Sequence, residues 1–425
     1  MAGRDIAKTA EALDATDELR ALRDEFHLQP GIIYMDGNSL GLASKLAERS
    51  LEEMLDAWKR LGIDGWLQGE HPWYHLAEKL GAMTAPFLGA LPEEVVIAGS
   101  TSANLHQLLA TFFKPDGKRT KLLIEEAAFP TDAYIAKSHL ALHGLSPAEH
   151  LVVVPSAGGT HLDEAKIIAA MSDEIAIAIL PVALYRTAQI LSVRKLTAEA
   201  HARGMMVCFD GCHSVGAMEH SFHDDGVDMG GFCTYKYLNG GPGASGGLFV
   251  HEKHLGRAPG LPGWFSSAKD KQFDMSNAFT PAAEAGAYQI GTPNIFRMAP
   301  LIGAFELVQN AGLKNIRAKS LALTAFMIEL IDSELGGLGF SIGTPRADEQ
   351  RGGHVALRHA EAARICKALK KRGVIPDFRP PDIIRLSPSP YYTSFAEVAE
   401  TIAIVRDIAE RQTYLEFPNQ RDVVA

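Results

Sequence analysis

The sequence has little of several features that would indicate particular classes of protein. Its longest apolar run, residues 175–185, is 11 residues long and contains Pro181, so it is too short to cross a bilayer and suits a buried strand. Acidic residues outnumber basic ones by 51 to 41, which gives a formal net charge of −10. This balance offers no basic surface for nucleic acid or an anionic membrane, and we expect neither as a partner.

Cysteine is also scarce, since the 425 residues contain four, at positions 208, 212, 233 and 366. So few cysteines are typical of a reducing compartment. Their spacing lacks the CxxC pairs of zinc sites, so we interpret them as small buried side chains and predict no metal site. A metal site is the alternative, because three of the four cysteines lie in or beside the same two predicted strands. The first ten residues contain no apolar stretch of signal-peptide length, which predicts a cytoplasmic location.

Short apolar strands alternate with helical segments from about residue 95 to 255. Such alternation predicts an α/β fold in which helices cover both faces of a mostly parallel sheet. After about residue 300 a long helical region to residue 335 precedes short strands and helices, the last opened by a Ser394–Glu397 capping box. We expect a large domain over residues 61–305, a smaller α+β domain over 306–425, and an N-terminal segment, 1–60, that contributes to the small domain.

Two strands of this series lead into polar residues. Segment 208–214 (CFDGCHS) places Asp210 after an apolar strand with His213 one helical turn further on, and segment 233–239 (CTYKYLN) holds Lys236 among aromatic and small residues at the end of the next strand. An apolar setting keeps a lysine nucleophilic, and a buried carboxylate needs a cationic partner. Enzymes that use pyridoxal 5′-phosphate (PLP) supply both needs, with a Schiff-base lysine and a carboxylate on the pyridine nitrogen. The sequence therefore predicts PLP, with a surface lysine and a helix N-cap aspartate as the alternatives.

A phosphate-binding loop is predicted at residues 99–104 (GSTSAN), which follow a strand and open a helix. Backbone N–H groups at a helix N-terminus bind phosphate together with hydroxyls, so Thr101 and Ser102 are the candidate contacts, although helix capping alone would explain them. Residues 241–246 (GPGASG) match GxGxxG but lead into a strand, so the dinucleotide interpretation fails. Residues 251–254 (HEKH) lack the HExxH spacing, and we interpret them as a solvated turn.

Taken together, these segments resemble the kynureninases, PLP enzymes of the aspartate aminotransferase fold (fold type I) that hydrolyse kynurenine to anthranilate and alanine. The resemblance covers nearly the whole chain and rests on residues 34–41 (YMDGNSLG), 129–132 (FPTD), 235–239 (YKYLN), 263–265 (GWF), 291–293 (GTP) and 384–388 (IRLSP). It implies a seven-stranded, mostly parallel sheet between helices in the large domain. It also implies a homodimer with shared active sites, to which residues 1–60 contribute contacts.

The resemblance implies a role for each matched residue. Lys236 would hold PLP, with Asp210 on the pyridine nitrogen and His213 supporting it. Further cofactor contacts would come from Thr101, Ser102, Phe129, Pro130, Thr131, Asp132, Tyr235, Trp264 and Thr292, of which Trp264 and Thr292 belong to the second subunit. Substrate would contact Arg385, whose planar fork suits a carboxylate, together with Asn38, Ser39 and Trp66. Tyr235 would also transfer protons, so the predicted catalytic residues are Lys236, Tyr235 and Asp210.

Several alternatives stay open on this evidence. A structural ion pair is the alternative for Arg385, and a place in the core is the alternative for Trp66. A cysteine desulfurase, an aminotransferase or a PLP-binding protein without turnover would share the scaffold, although a desulfurase needs a mobile cysteine that Cys366, on a predicted helix, does not offer. Pro181 and Ser267 replace residues that are common in the family, which leaves the choice between kynurenine and 3-hydroxykynurenine open.

Overall fold

The computed structural model describes residues 6–421, so the first five residues, which belong to the predicted N-terminal segment, and the last four lie outside the described residues. The strands are β1 Ile33–Tyr34, β2 Val95–Ile97, β3 Lys121–Glu125, β4 Leu151–Val154, β5 Ile175–Pro181, β6 Met206–Asp210, β7 Met229–Phe232, β8 Gly247–Val250, β9 Ser341–Ile342, β10 Val355–Arg358, β11 Val374–Ile375, β12 Asp377–Arg379 and β13 Ile383–Leu386. The α-helices are α1 Ile6–Ala15, α2 Lys45–Leu61, α3 Leu76–Leu88, α4 Thr101–Phe112, α5 Pro130–Leu142, α6 Pro147–His150, α7 Glu164–Ala170, α8 Val193–His201, α9 Ile295–Ala311, α10 Leu313–Glu334, α11 Ala362–Lys371 and α12 Phe395–Glu410.

A seven-stranded sheet forms the centre of the larger part of the chain. Its strand order is β2-β8-β7-β6-β5-β3-β4, and β8 alone within this sheet runs antiparallel to its neighbours. All residues of β5 are buried, as expected where helices cover both faces of a parallel sheet. The predicted α/β fold with a mostly parallel seven-stranded sheet is confirmed. None of the helices in the described range is long and apolar enough to span a membrane.

The smaller part of the chain is built on a four-stranded antiparallel sheet in the order β12-β13-β10-β9. The N-terminal segment joins it, because β1 pairs in parallel with β11 and α1 packs on α12. Buried apolar side chains form two clusters, one around the seven-stranded sheet and one that unites Ile33 and Met35 with the C-terminal elements. The division at residues 60 and 305 itself stays a prediction, since α2 from the first segment packs along α9.

The structure corrects two predicted boundaries and confirms a third. The helical region up to residue 335 is two helices, because Gly312 adopts a φ of +77° that interrupts the run. The strand predicted to end at Lys236 ends at Phe232, because the chain turns into a tight loop before the lysine. The capping box of α12 is present, with the Glu397 backbone N–H donating to Ser394 Oγ at 3.1 Å.

Candidate active site

Lys236 lies in the loop that follows β7, at the carboxyl edge of the sheet. The loop is fixed by a hydrogen bond from the Gly240 N–H to the Thr234 carbonyl at 2.9 Å and by one from Thr234 Oγ1 to the Ser245 carbonyl at 2.7 Å. Asn239 completes the turn with a φ of +54°, a conformation that asparagine tolerates better than most residues. The lysine is only 8% exposed, so its amine is held inside the protein.

Asp210 and His213 lie beside this lysine at the end of the neighbouring strand. Asp210 is the last residue of β6, and its Oδ1 accepts a hydrogen bond from the Cys212 N–H at 2.8 Å. Lys236 Nζ donates to His213 Nε2 at 2.8 Å. Burial lowers the pKa of His213 and the Lys236 charge lowers it further, so the imidazole is a neutral acceptor. Its Nδ1 is buried and has no hydrogen-bond partner among the described residues.

Two aromatic rings border the lysine amine. The centroid of the Phe129 ring lies 5.7 Å from Lys236 Nζ, and that of the Tyr235 ring lies 5.9 Å from it. Tyr185 packs edge-on against Phe129 with 5.4 Å between ring centroids. Phe129 immediately precedes α5, whose first residue, Pro130, has the fixed φ that suits a helix start. The sequence element FPTD therefore places a ring at the position predicted to stack on a cofactor.

Asp132, in the first turn of α5, is a buried carboxylate that lacks a full set of partners. It is 2% exposed, and its Oδ1 has no hydrogen-bond partner in the described part of the chain. Burial raises the pKa of Asp132, and the nearby carboxylates of Asp210 and Glu125 raise it further, while Lys236 opposes them. A buried oxygen without a partner is costly, which makes this a place where a bound polar group would be stabilising.

The predicted phosphate loop has the geometry of an anion site. Ser100 caps α4, so Thr101 and Ser102 occupy the first helical turn, where backbone N–H groups lack partners within the helix. Ser102 Oγ lies 3.2 Å from Thr131 Oγ1, and Thr101 Oγ1 lies 3.5 Å from Cys212 Sγ. The Thr101 hydroxyl is therefore next to the loop that follows Asp210, and the Ser102 hydroxyl is next to the first turn of α5.

Glycines let two other segments approach this region. A Cβ at Gly246 would lie 2.9 Å from the Thr101 nitrogen, so the glycine-rich segment 241–246 can pack on the phosphate loop only without a side chain there. Gly41 donates its N–H to the Tyr235 carbonyl at 2.8 Å, which brings segment 34–41 onto the lysine loop. Asn38 in that segment is fully buried, and neither of its side-chain polar atoms has a partner within the described residues.

Arg385 is buried in β13 and is already paired. Its Nη1 donates to the Tyr185 carbonyl at 2.7 Å, and its Nη2 donates to Ser39 Oγ at 3.0 Å and to Asp377 Oδ2. Arg379 also contacts Asp377 Oδ2, at 3.1 Å. Burial lowers the pKa of Arg385 to about 10, so the guanidinium stays charged at neutral pH. The structural ion pair considered for Arg385 is thus present, and its Nε, which is buried without a partner in the described structure, is left for a ligand.

Three predicted site residues lie apart from the lysine loop in a single chain. Trp66 packs on Trp73 and Phe265, with ring centroids 5.8 and 5.9 Å away. Trp264 is 42% exposed. Thr292 is exposed and lines a cavity of about 230 Å³ beside the phosphate loop. Their predicted contacts with cofactor and substrate, two of them across a dimer, remain predictions.

Sequence reasoning missed several residues around the site. Asp377 and Arg379 occupy alternate positions of β12, next to the strand that carries Arg385, so the segment DFR was the available signal. Glu125 ends β3 at the same edge of the sheet as Asp210. Of the two departures from the family pattern, Pro181 pairs in register with Asp210, whereas Ser267 lies in an isolated bridge with Pro281.

The solvated turn predicted for residues 251–254 is present only in its middle, where Glu252 and Lys253 are exposed, and the prediction was wrong for the two histidines. His254 Nε2 donates to Asp228 Oδ1 at 2.8 Å, and His251 is buried beside Glu94. Glu94 Oε1 already accepts from His223 Nδ1 at 2.9 Å and from a backbone N–H at 2.7 Å. These histidines satisfy buried carboxylates on the side of the sheet remote from Lys236, and their sequence spacing gave no sign of it.

The groups collected at the carboxyl edge fit PLP. A buried lysine beside a neutral histidine suits its aldehyde, a strand-end carboxylate suits its pyridine nitrogen, and a helix N-terminus with hydroxyls suits its phosphate. The partnerless atoms Asp132 Oδ1 and His213 Nδ1 are groups that a bound polar molecule would satisfy. Fold and site together define a PLP-dependent enzyme of fold type I.

Comparison with known proteins narrows this class. A kynureninase from Geobacillus thermodenitrificans (strain NG80-2) is 56% identical over 98% of this chain and 97% of its own length. Another, from Bacillus anthracis, is 54% identical over 97% of this chain and 96% of its own. The family model described as the kynureninase C-terminal domain matches residues 316–405. The chain belongs to the kynureninase family of PLP-dependent hydrolases.

More distant solved structures share the fold. A cysteine desulfurase from Thermococcus onnurineus NA1 has a TM-score of 0.76 at 18% identity, covering 92% of this chain and 98% of its own. The Escherichia coli cysteine desulfurase CsdA has a TM-score of 0.77 at 17% identity, covering 92% and 98%. In this chain Cys366 is buried on α11, where burial raises the pKa of its thiol, so it does not fit the mobile nucleophile of a desulfurase.

Proposed function

We propose that this protein hydrolyses L-kynurenine to anthranilate and L-alanine by cleaving the Cβ–Cγ bond, as a step of tryptophan catabolism. One observation carries the proposal beyond family membership: the buried Lys236 amine and the buried Arg385 guanidinium lie close to the same imidazole. Lys236 Nζ lies 2.8 Å from His213 Nε2, and Tyr185, whose ring centroid lies 6.3 Å from that of His213, accepts a hydrogen bond from Arg385 Nη1 through its carbonyl. An amine for the cofactor and a cation for an α-carboxylate thus lie around one imidazole, which is the arrangement that an amino-acid substrate needs.

The roles of the residues follow from their environments. PLP, when bound, supplies a conjugated ring that accepts electrons released at the substrate carbons. Lys236 would take the proton from the substrate Cα and return it, inside a pocket bordered by Phe129 and His213. Arg385 would bind the α-carboxylate through Nε, the guanidinium nitrogen that has no partner in the described structure, with Ser39 beside it. Burial raises the pKa of Tyr235, so its phenol keeps its proton and would donate it as the carbon–carbon bond breaks.

Cofactor binding would use Asp210 at the pyridine nitrogen and the α4 N-terminus at the phosphate. We further propose a homodimer in which Trp264 and Thr292 complete the partner's site. An exposed apolar face supports this, since Trp58 on α2 is 56% exposed and packs edge-on against the exposed Phe296 of α9. We also propose a cytoplasmic location, which the few cysteines, all free, support.

The direct test is to incubate the purified protein with PLP and L-kynurenine and to follow anthranilate fluorescence together with L-alanine release. We expect both products, and we expect Lys236→Ala to abolish them. Lys195→Ala is the matched control, because Lys195 is exposed on α8 in an ion pair with Glu164. Turnover retained by Lys236→Ala would contradict the proposal. Bound PLP without either product would identify a silent homologue, and sulfide release from cysteine would identify a desulfurase.

A further inference from the structure

Two cysteines lie against each other within the cofactor site. In the β6–β7 ladder Asp210 pairs with Gly231, and the Gly211 N–H donates to the Gly231 carbonyl at 2.9 Å, so the segments that carry Cys212 and Cys233 leave the ends of two adjacent strands. Neighbouring strands are about 4.8 Å apart, which is within the Cα separation that a disulfide requires. The Cys233 thiol donates to the Cys212 carbonyl at 3.7 Å, so the sulfur of one cysteine touches the backbone of the other. The geometry therefore permits a crosslink without a large backbone movement.

The two thiols have different environments. Burial alone would raise the pKa of the Cys233 thiol, but hydrogen bonds from the Cys212 thiol and the Lys236 backbone, together with the Lys236 charge, lower it. The hydrogen bond to Cys233 and burial raise the pKa of the Cys212 thiol. Cys233 is thus suited to react first as a thiolate, and Cys212 to react second as its partner.

We propose that hydrogen peroxide converts Cys212 and Cys233 of the cofactor-free protein into a disulfide that prevents PLP from binding. The Cys233 thiolate attacks one peroxide oxygen, the O–O bond breaks, and the departing hydroxide takes a proton to become water, which leaves a sulfenic acid. The Cys212 sulfur then attacks the Cys233 sulfur, the S–O bond breaks, and the leaving hydroxide takes the Cys212 proton. Two thiols and one peroxide thus give one disulfide and two waters.

The positions of the two cysteines explain why this crosslink and PLP exclude each other. The Cys212 N–H donates to Asp210 and its sulfur lies 3.5 Å from Thr101 Oγ1, so it connects the residues proposed for the pyridine nitrogen and the phosphate. Drawing Cys212 toward Cys233 disturbs both contacts. Conversely, Lys236, if it holds PLP, would keep the cofactor over the loop that carries Cys233 and would shield both thiols from peroxide.

The test uses the full-length protein with PLP bound and after PLP removal, each treated with hydrogen peroxide and mapped by mass spectrometry. In the cofactor-free sample we expect a peptide linked through Cys212 and Cys233, whose mass is lower than that of the reduced form by two hydrogen atoms. Dithiothreitol should break this disulfide and restore both thiols. We expect the PLP-bound sample to keep both thiols. The oxidised protein should not regain the visible absorbance of bound PLP until it is reduced.

Three variants separate this site from general oxidation. Cys212→Ser should stop at a Cys233 sulfenic acid that dimedone traps, Cys233→Ser should give neither product, and the matched control Cys366→Ser should form the disulfide normally. Absence of the linked peptide from cofactor-free wild-type protein would overturn the proposal, as would equal oxidation in the PLP-bound sample. Because the readout is a covalent bond, it stays decisive whether or not kynurenine is the substrate.

Discussion

Two buried aspartates at opposite edges of the sheet differ in how well they are paired. Asp228, just before β7, accepts hydrogen bonds from His201 Nε2 and His254 Nε2, both at 2.8 Å, and from the Val207 N–H at 2.9 Å, and it pairs with Lys253 at 2.9 Å. Burial alone would raise the pKa of Asp228, but these donors lower it below its usual range. The carboxylate is therefore held charged inside the protein.

Asp132, at the carboxyl edge, is as buried as Asp228 but has other carboxylates near it instead of a shell of donors. Residues of the fold provide the partners of Asp228, whereas Asp132 Oδ1 has no partner within the described residues and could be paired by a ligand. A buried carboxylate whose hydrogen-bond and charge partners all come from the chain contributes to stability. A buried carboxylate without such partners lowers stability, and other parts of the fold offset that cost, so it marks a binding site. This difference identifies the functional edge of the sheet without reference to any relative.

The largest expected effect is a contrast between two matched Asp→Asn variants, one of which should lower stability and the other activity. Asp228→Asn should lower the free energy of unfolding by about 3 kcal/mol, because it removes the carboxylate that pairs with Lys253 and accepts the surrounding hydrogen bonds. Asp132→Asn should change it by less than about 1 kcal/mol, because no ion pair is lost and the amide is cheaper to bury than a charge, but it should lower kcat/KM at least about tenfold. Urea unfolding and kynurenine turnover measure the two quantities.

The comparison would fail if both variants destabilised the protein equally. It would also fail if Asp132→Asn kept full activity at saturating PLP, because neither cofactor nor substrate binding would then depend on the Asp132 carboxylate. Far-UV circular dichroism on both variants checks that turnover is compared between folded proteins.

The next effect concerns Arg385. Like Asp228 it is paired within the chain, through Asp377, and like Asp132 it keeps a buried atom, Nε, that has no partner in the described structure. Arg385→Lys loses the planar fork, and we expect kcat/KM for kynurenine to fall about a hundredfold, or about 3 kcal/mol, mostly through KM. Arg379→Lys is the matched control with an expected loss of under tenfold, because Arg379 is partly exposed and contacts the same carboxylate. Loss of stability with an unchanged KM would instead make Arg385 a structural ion pair alone.

The sequence was informative where chemistry is carried by short segments and less so where it depends on packing between distant ones. Asp210 at a strand end, the hydroxyls of the α4 N-terminus and the lysine among aromatic residues could be predicted because each lies within a few residues of its structural signal. The Asp377 contact with Arg385 could not, because the segment DFR shows a carboxylate on a strand but not that this strand pairs with the one that carries Arg385. The buried roles of His251 and His254 were missed for the same reason, since their carboxylate partners are Glu94 and Asp228.

A smaller effect should appear in the pH dependence of stability. Burial raises the pKa of Glu125 from 4.5 to about 7, opposed by a hydrogen bond from the Ala127 N–H. Between these values the folded state keeps a proton that the unfolded state has lost, so this group's contribution is full below pH 4.5 and declines as the pH rises to 7. Relative to Glu125→Gln, cofactor-free wild-type protein should lose about 3 kcal/mol of unfolding free energy across this interval.

Urea unfolding of both proteins at several pH values measures the difference, and taking the difference removes the contributions of titrating histidines that the two share. A constant offset between the two proteins from pH 4.5 to 7 would show that Glu125 has the same pKa in the folded and unfolded states, and that the unpaired character of this edge is confined to Asp132.

The smallest expected effect tests whether the aromatic cluster around Trp66 reaches the substrate. Trp66→Phe keeps a ring against Trp73 and Phe265, so stability should change by less than about 1 kcal/mol. If the indole borders the substrate's aryl ring, the smaller phenyl leaves room for a hydroxyl, and the ratio of kcat/KM for 3-hydroxykynurenine to that for kynurenine should rise by about three- to tenfold. Both substrates are measured on the same sample, so any loss of folded protein cancels in the ratio. An unchanged ratio would show that Trp66 has a structural role only, as Asp228 does.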